Sequence, residues 1–545
     1  MSSRLYPQAA RRHAATPPRP CVALGQMLLV LLLSLPAVAQ ESAAGADACA
    51  VLAALDFGEA VGSAVTLRGE LLPAADGLPA RCRVSGTIAP EVRVETWLPL
   101  EGWNGKLLVT GCYGLCGSIR ADQMEDAVVR GYATATTDGG HSDDKDPDSR
   151  WAYDNPQLET DFGHRAVHVT TLLAKALLHA FYGEHEQRAY FRGCSTGGRQ
   201  ALVAAQRYPD DFDGIIAGAP FHQTLSVPYM IWADRANTAA DGTPLLGERE
   251  ARLLHAAALA ACDSSDGLTD GIIGDPQHCD FSPESLACVA GGNSDCLSPE
   301  QVGAALKIYR GPPMGVGVRH SLGAAVGSEL AWPRQLLGSD GQPPRFRSTG
   351  QDWLRYHAFE PDPPATRDAI EFDFERDPPR LAAAAGRVGF TPDLARFEAS
   401  DGRLIVYHGW ADESLQPSHT IEYWRRAVQE NGGEAALGRF ARLFMLPGVG
   451  HCGGGPGAGD VDYLAALERW VELDVAPDML VATRTSDSRP VTARQPRFPP
   501  TGEVLLRRPL FPYPDIARYR GEGDPLDPAS YRRAGPGASG GGAVL

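Results

Sequence analysis

Lysine is almost missing from this chain of 545 residues: Lys106, Lys145, Lys175 and Lys307 are the only four, and arginine carries nearly all the positive charge. Arginine is therefore the default cation, and no single arginine marks an anion site. Positive charge as a whole is in deficit, with 50 Lys and Arg against 67 Asp and Glu and a net charge of −17. An acidic protein is a poor candidate for nucleic acid or an anionic membrane surface. Long hydrophobic runs are lacking as well. The apolar stretch from Met27 to Leu35 falls well short of the ~20 residues a spanning helix needs. No two cysteines have the C-x-x-C spacing of a zinc site, and no internal repeat is visible.

What is present at the N-terminus reads as a secretory signal over residues 1–39. Early arginines (Arg4, Arg11, Arg12, Arg19) precede the apolar stretch, and Ala37-Val38-Ala39 is a small-x-small cleavage site. Removing it takes four arginines and no acids, which moves the charge to −21. Ten cysteines remain, an even number that suits disulfides in an oxidising compartment, so a secreted or periplasmic protein is expected.

The length suggests more than one core, or one core with a large insertion. Residues 52–218 and 403–480 alternate short apolar runs with helical stretches. Lys106 to Thr110, Arg403 to Tyr407 and Arg442 to Leu446 read as buried parallel strands, each followed by a Gly-containing loop. Between them the texture changes to helices, Pro/Gly loops and clustered cysteines. The expected division is a first α/β part over 40–220, an inserted lid over 221–399, and a second α/β part over 400–545. From Pro499 onward the chain reads as loop-like, with a disordered Gly-rich end.

Gly193-Cys194-Ser195-Thr196-Gly197 fits G-x-S-x-G, the nucleophile elbow of α/β-hydrolases. The pattern is short, but its flanks suit it. Arg188 to Arg192 reads as a strand, Thr196 to Tyr208 as an alanine-rich helix, and Gly214 to Gly218 as the next buried strand. A serine hydroxyl needs a base, and the base needs an orienting carboxylate; on this fold the order is Ser, Asp or Glu, His. Asp412 and His451 each follow one of the predicted strands and keep that order. Glu413 is the rival acid. His408 is the rival base, for which a hydrogen-bonded packing role is the favoured reading. If Ser195 and His451 meet, the adjacent Cys194 and Cys452 fall within disulfide reach, against the alternative that each bonds elsewhere or stays free. An oxyanion hole needs two backbone N–H groups. Thr196 is the first candidate, and Gly114 or Tyr113 in the loop Gly111 to Gly117 is the second.

Within Cys262 to Ile272, Asp263, Asp266 and Asp270 place three carboxylates in eight residues. Like charges so close repel unless a cation neutralises them, and oxygen-only ligands favour Ca²⁺, with Leu268 and Ile272 lending backbone carbonyls. A solvated acidic loop is the equal alternative. In the lid, Trp332, Trp353, Arg355, Tyr356 and Phe359 are candidate walls of a substrate pocket, and each is equally a candidate for ordinary core.

Taken together, the stretches Gly193 to Gln200, Tyr208 to Pro220, His408 to Asp412 and Pro447 to Pro456 resemble the motifs of the tannase and feruloyl esterase family. Trp103-Asn104-Gly105, Pro512-Tyr513-Pro514 and Ala517-Arg518-Tyr519 resemble it too, so the likeness runs from about Cys49 to Tyr531. The resemblance implies an α/β-hydrolase fold with a lid inserted between nucleophile and acid. It also implies a Ser195–Asp412–His451 triad, a Cys194–Cys452 bridge, and a structural lid Ca²⁺ at Asp263, Asp266, Leu268, Asp270 and Ile272. Bridges Cys49–Cys82, Cys262–Cys279 and Cys288–Cys296 are implied as well. Two departures stand out. Leu510-Phe511 sits where relatives often carry a cysteine, which suggests a looser C-terminal segment, and Cys112 and Cys116 are extra. A Cys112–Cys116 pair would stiffen the oxyanion loop.

The expectation is a serine esterase acting on small esters of aromatic acids (feruloyl or other hydroxycinnamoyl, galloyl, or mono-terephthaloyl), free or attached to a plant polymer or polyester fragment. No nucleic acid or membrane partner is expected. The rival readings are a hydrolase-like binding protein that has lost catalysis and a serine peptidase on the same fold.

Overall fold

A nine-stranded sheet forms the centre of the computed structural model. The structure describes residues 48–144, 148–289, 295–313, 323–338, 341–364, 366, 368, 371–488 and 500–537. The predicted signal segment, Lys145 and the extreme Gly-rich end lie outside the described residues. β1 (Val65–Leu72), β2 (Arg81–Ile88) and β3 (Val92–Pro99) form an antiparallel flank that joins β5 (Ala133–Thr137). From β5 onward the pairing is parallel through β4 (Lys106–Thr110), β6 (Arg188–Cys194), β7 (Gly214–Gly218), β8 (Arg403–Gly409) and β9 (Ala441–Leu446). This is the α/β-hydrolase arrangement. Every residue of β5 and β7 is buried, as expected of strands covered by helices on both faces.

The principal helices are α1 (Ala166–Tyr182), α2 (Thr196–Arg207), α3 (Gln223–Ala236), α4 (Glu248–Cys262), α5 (Pro299–Arg310), α6 (Arg345–Tyr356), α7 (Pro417–Glu430) and α8 (Tyr463–Leu473). One core packs α1, α2 and α7 on the sheet through Leu173, Leu177, Leu202, Ile421 and Phe191. A second forms on the other face, where Leu464, Leu467 and Trp470 of α8 meet Ile216, Ile405 and Phe444. The residues expected to form the lid gather a core of their own, with Val227, Leu254, Ile308, Trp332, Phe346 and Trp353 among its members.

The segment after residue 499 is not the loop expected of it. β10 (Leu480–Thr485) pairs antiparallel with β11 (Val504–Leu510), and β12 (Ile516–Tyr519) pairs with β13 (Tyr531–Ala534). β11 is mostly exposed at its start, so it lacks the alternation that reveals a half-buried strand; backbone pairing with β10 forms it instead. Without a cysteine at Leu510-Phe511, the segment is held to the body by noncovalent contacts. Leu510 is buried, the Tyr513 N–H donates to the Leu443 carbonyl at 2.7 Å, and Arg508 pairs with Asp270.

The four expected bridges form, Cys49–Cys82, Cys194–Cys452, Cys262–Cys279 and Cys288–Cys296, and Cys112 and Cys116, whose pairing the sequence left open, are bridged to each other. Among the described residues no helix is long and apolar enough to cross a membrane.

Candidate active site

The end of β6 turns into α2 at a single residue, Ser195, which has φ 63° and ψ −122°. Such a backbone is rare outside glycine and persists only where its surroundings hold it. Here the Ser195 N–H donates to the Gly218 carbonyl at 3.0 Å, and its own carbonyl accepts from the Phe221 N–H at 3.1 Å. The glycines of the motif exist for clearance. A Cβ on Gly193 would lie 2.4 Å from the Gly197 carbonyl oxygen, and one on Gly197 would lie 2.9 Å from that of Cys112.

The loop after β9 brings His451 to this turn. Its Nε2 lies 3.0 Å from the Ser195 Oγ, and its Nδ1 lies 2.8 Å from Asp412 Oδ2, on the loop after β8. Three positions far apart in sequence thus form one hydrogen-bonded chain. Cys194 and Cys452 are bridged with Cα atoms 6.0 Å apart, so the flanks of the serine and the imidazole are covalently joined. Glu413, the rival acid, lines the cavity instead and accepts from the Ser414 hydroxyl.

Asp412 is wholly buried, and its Oδ1 accepts the backbone N–H groups of Ser414 and Leu415, both at 2.8 Å. Burial by itself would raise its carboxyl pKa. The His451 charge and the hydrogen bonds from His408 and His451 outweigh that and hold it below the ordinary carboxylate range. For His451 the balance is the mirror image. Burial depresses it, while the charge and hydrogen bond of Asp412, joined by Glu413, leave it above its usual 6.5. A carboxylate that stays ionised beside an imidazole of raised basicity is suited to take a proton from the hydroxyl.

The loop 111–117 lies against the start of α2. The Cys112 N–H donates to Gln200 Oε1 at 3.1 Å, and the Thr196 hydroxyl donates to the Gly114 carbonyl. The Cys112 amide is thus committed to Gln200, while Tyr113 and Gly114, the loop's two expected oxyanion donors, remain beside Ser195. Both line the same cavity as Ser195 and Thr196. That cavity, about 880 Å³, has a mixed lining that includes Phe221, Met230, Leu415, Arg345, Phe346 and Glu413. Its volume lies within the usual range for a small-molecule site.

The five aromatic and arginine candidates for the cavity wall do not line it. Trp332, Trp353 and Phe359 belong to the core around Val227, Leu254 and Ile308, and Tyr356 packs in the cluster of Trp151. Helix α6 does face the cavity, through Arg345, Ser348, Thr349 and Asp352, a stripe at i, i+3, i+4 and i+7. This face was not legible, because the residues that drew attention on α6, Trp353 and Tyr356, are ones that packing buries.

The acidic loop follows α4. Asp263 and Asp266 are buried; Asp263 accepts the N–H groups of Asp270, Gly271 and Ile272, and Asp266 accepts that of Leu268. Burial, with the charges of Asp270 and Asp263, pushes the Asp266 carboxyl up to about 7. Asp270 pairs with Arg508. Among the described residues no group of three or more His, Cys, Asp or Glu side chains is gathered closely enough to hold one ion. The donor types nevertheless fit a hard cation, since the loop offers oxygen alone and withdraws two carboxylates from water.

His408 is the hydrogen-bonded packing histidine that the sequence favoured over a base, but its partner in the triad was not foreseen. It is fully buried, and its Nε2 lies 3.0 Å from Asp412 Oδ2. The signal was available in the four-residue spacing of His408 and Asp412 across one strand-to-loop turn.

The sequence pattern described as tannase and feruloyl esterase matches residues 78–342 and 380–534. Among relatives, mono(2-hydroxyethyl) terephthalate hydrolase of Piscinibacter sakaiensis is 32% identical over 85% of this chain and 86% of its own length. Feruloyl esterase B of Aspergillus niger is 28% identical over 83% and 86%. Among solved structures, feruloyl esterase B from Aspergillus oryzae superposes with a TM-score of 0.73 at 27% identity, covering 86% of this chain and 96% of that one. The chain belongs to the tannase and feruloyl esterase family and is a carboxylic ester hydrolase.

Proposed function

We propose that this carboxylic ester hydrolase cleaves small esters of aromatic acids through an acyl-enzyme on Ser195, and that it acts outside the cytoplasm. The observation that carries the reading is the continuous chain from the Ser195 Oγ through His451 to Asp412, with bonds of 3.0 and 2.8 Å, at the wall of an 880 Å³ cavity. His451 takes the hydroxyl proton as the oxygen attacks the ester carbonyl. Asp412 holds the imidazole, and the amides of Thr196 and of Gly114 or Tyr113 face the developing oxyanion. The protonated imidazole then passes its proton to the leaving alcohol, and water releases the acid by the same steps in reverse.

Family relatives named for feruloyl and mono(2-hydroxyethyl) terephthalate esters support an aromatic acyl group. An acyl group that also carries a carboxylate is favoured by Arg345. It lines the cavity, and its charge is felt at His451. Five disulfides support an oxidising compartment.

The test is turnover of methyl gallate, methyl ferulate, chlorogenate and mono(2-hydroxyethyl) terephthalate, each beside its matched amide, across pH. At least one ester should turn over while its amide does not. Because neutral His451 is required and its pKa lies above 6.5, kcat/KM should fall as pH drops through a limb above that value. Amide turnover equal to ester turnover would replace the reading by a peptidase, and no turnover of any ester would sink it.

Asp263, Asp266 and Asp270, with the carbonyls of Leu268 and Ile272, are proposed to hold a structural calcium ion. Bound there, it would offset most of the charge of the three carboxylates at the end of α4. What supports this is the burial of two carboxylates beside a third. Calcium at about a hundredfold above its Kd should raise Tm by about 3 °C over the chelated protein. Identical melting curves with calcium and with chelator would remove the ion from the account.

A further inference from the structure

Behind the acid of the site lies a second histidine with no exposed surface. His408, the penultimate residue of β8, directs Nε2 at two acceptors: Asp412 Oδ2 at 3.0 Å and the Leu415 carbonyl at 2.9 Å. A carbonyl can only accept, so Nε2 carries the proton and donates. Nδ1 lies 2.8 Å from the hydroxyl of Thr420, on α7. With the proton on Nε2, Nδ1 is the acceptor and Thr420 donates to it. The Thr420 oxygen in turn lies 3.2 Å from Nε2 of His222, which precedes α3. His408, Asp412 and Thr420 are all wholly buried, so water cannot stand in for any of these bonds.

The consequence is a carboxylate with every bonding direction assigned. Oδ1 holds two backbone N–H groups of its own turn; Oδ2 receives His451 Nδ1–H on one side and His408 Nε2–H on the other. His408 also grips the far end of that turn through the Leu415 carbonyl, while the Leu415 side chain packs into the lid core and lines the cavity. A buried donor to a charged acceptor is among the stronger hydrogen bonds a protein makes.

We propose that His408 is a positioning residue for ester cleavage: it fixes Asp412, and through it the orientation of His451, with Thr420 setting its tautomer. This rests on the triad reading above. It assigns His408 neither the role of base nor that of plain packing.

The experiment compares His408→Leu, His408→Gln, Thr420→Val and the double variant His408→Leu/Thr420→Val on the preferred ester, with Ser195→Ala alongside. Leu fills space without a donor, and kcat should fall about 10- to 100-fold at nearly unchanged KM. Gln places an amide N–H₂ near the former Nε2 and should restore most of kcat. Thr420→Val, close to isosteric, should lose about 3- to 10-fold in kcat, and it carries the test alone if the Leu variant does not fold. The double variant should be no slower than His408→Leu, since both losses run through one bond. A Leu or Val variant with kcat equal to wild type, Gln as impaired as Leu, or losses that multiply would each overturn the proposal. Inactive Ser195→Ala beside a fully active His408→Leu removes this inference alone; active Ser195→Ala removes the triad reading beneath it.

Discussion

Ser195→Ala is expected to lower kcat about 10⁶-fold on any ester the protein cleaves, with Tm nearly unchanged. The size follows from the chain of bonds: without the Oγ there is nothing for His451 Nε2 to deprotonate and no atom to carry the acyl group. The fold should tolerate the change. The strained φ of 63° at Ser195 is held by the backbone bonds to Gly218 and Phe221, which alanine keeps. The measurement is kcat and KM beside a thermal melt. Losses below about tenfold would show that another group attacks the ester.

Breaking the Cys194–Cys452 bridge, by replacing both residues with serine, is expected to cost stability and activity together. The bridge closes a sequence separation of 258 residues, for which the chain-entropy model gives about 5 kcal/mol as an upper figure. In a protein of this size that is about 5 °C in Tm. The larger effect should fall on kcat. The two cysteines adjoin Ser195 and His451 directly, and Cys452 itself sits at φ 61°, so the bridge fixes both ends of the 3.0 Å contact. A drift of about 1 Å between reacting groups can cost about a hundredfold in rate. Equal kcat in the bridged and unbridged proteins would show that packing alone sets the geometry.

Five of the sheet's strands (β4, β6, β7, β8 and β9) and the elbow were legible because they rest on local rules; β5 and the antiparallel flank β1 to β3 were not read. β7 and the buried part of β4 are short apolar runs, and the glycines at 193 and 197 answer to clearances that no larger residue meets. The meeting of Ser195, Asp412 and His451 was legible because parallel strands deliver their loops to one edge, and the order of the three residues was enough. What escaped was set by tertiary context. β11 forms through pairing with β10 although three of its seven residues face water, so no periodicity betrays it. Helix α6 buries Trp353 and Leu354 in the core around Trp332, and only that packing decides that Arg345, Phe346, Ser348, Thr349 and Asp352 line the cavity. His408 looked like a packing histidine because its partners, Thr420 and Leu415, are unremarkable in sequence and become meaningful only when α7 lies against β8.

The most direct test of a serine poised by His451 is covalent labelling with a fluorophosphonate, followed by mass mapping of the peptide that carries the adduct. The account predicts one adduct per chain, on Ser195, formed faster as pH rises through the His451 limb and absent after Ser195→Ala. An adduct on any other residue, or none on active protein, would contradict it.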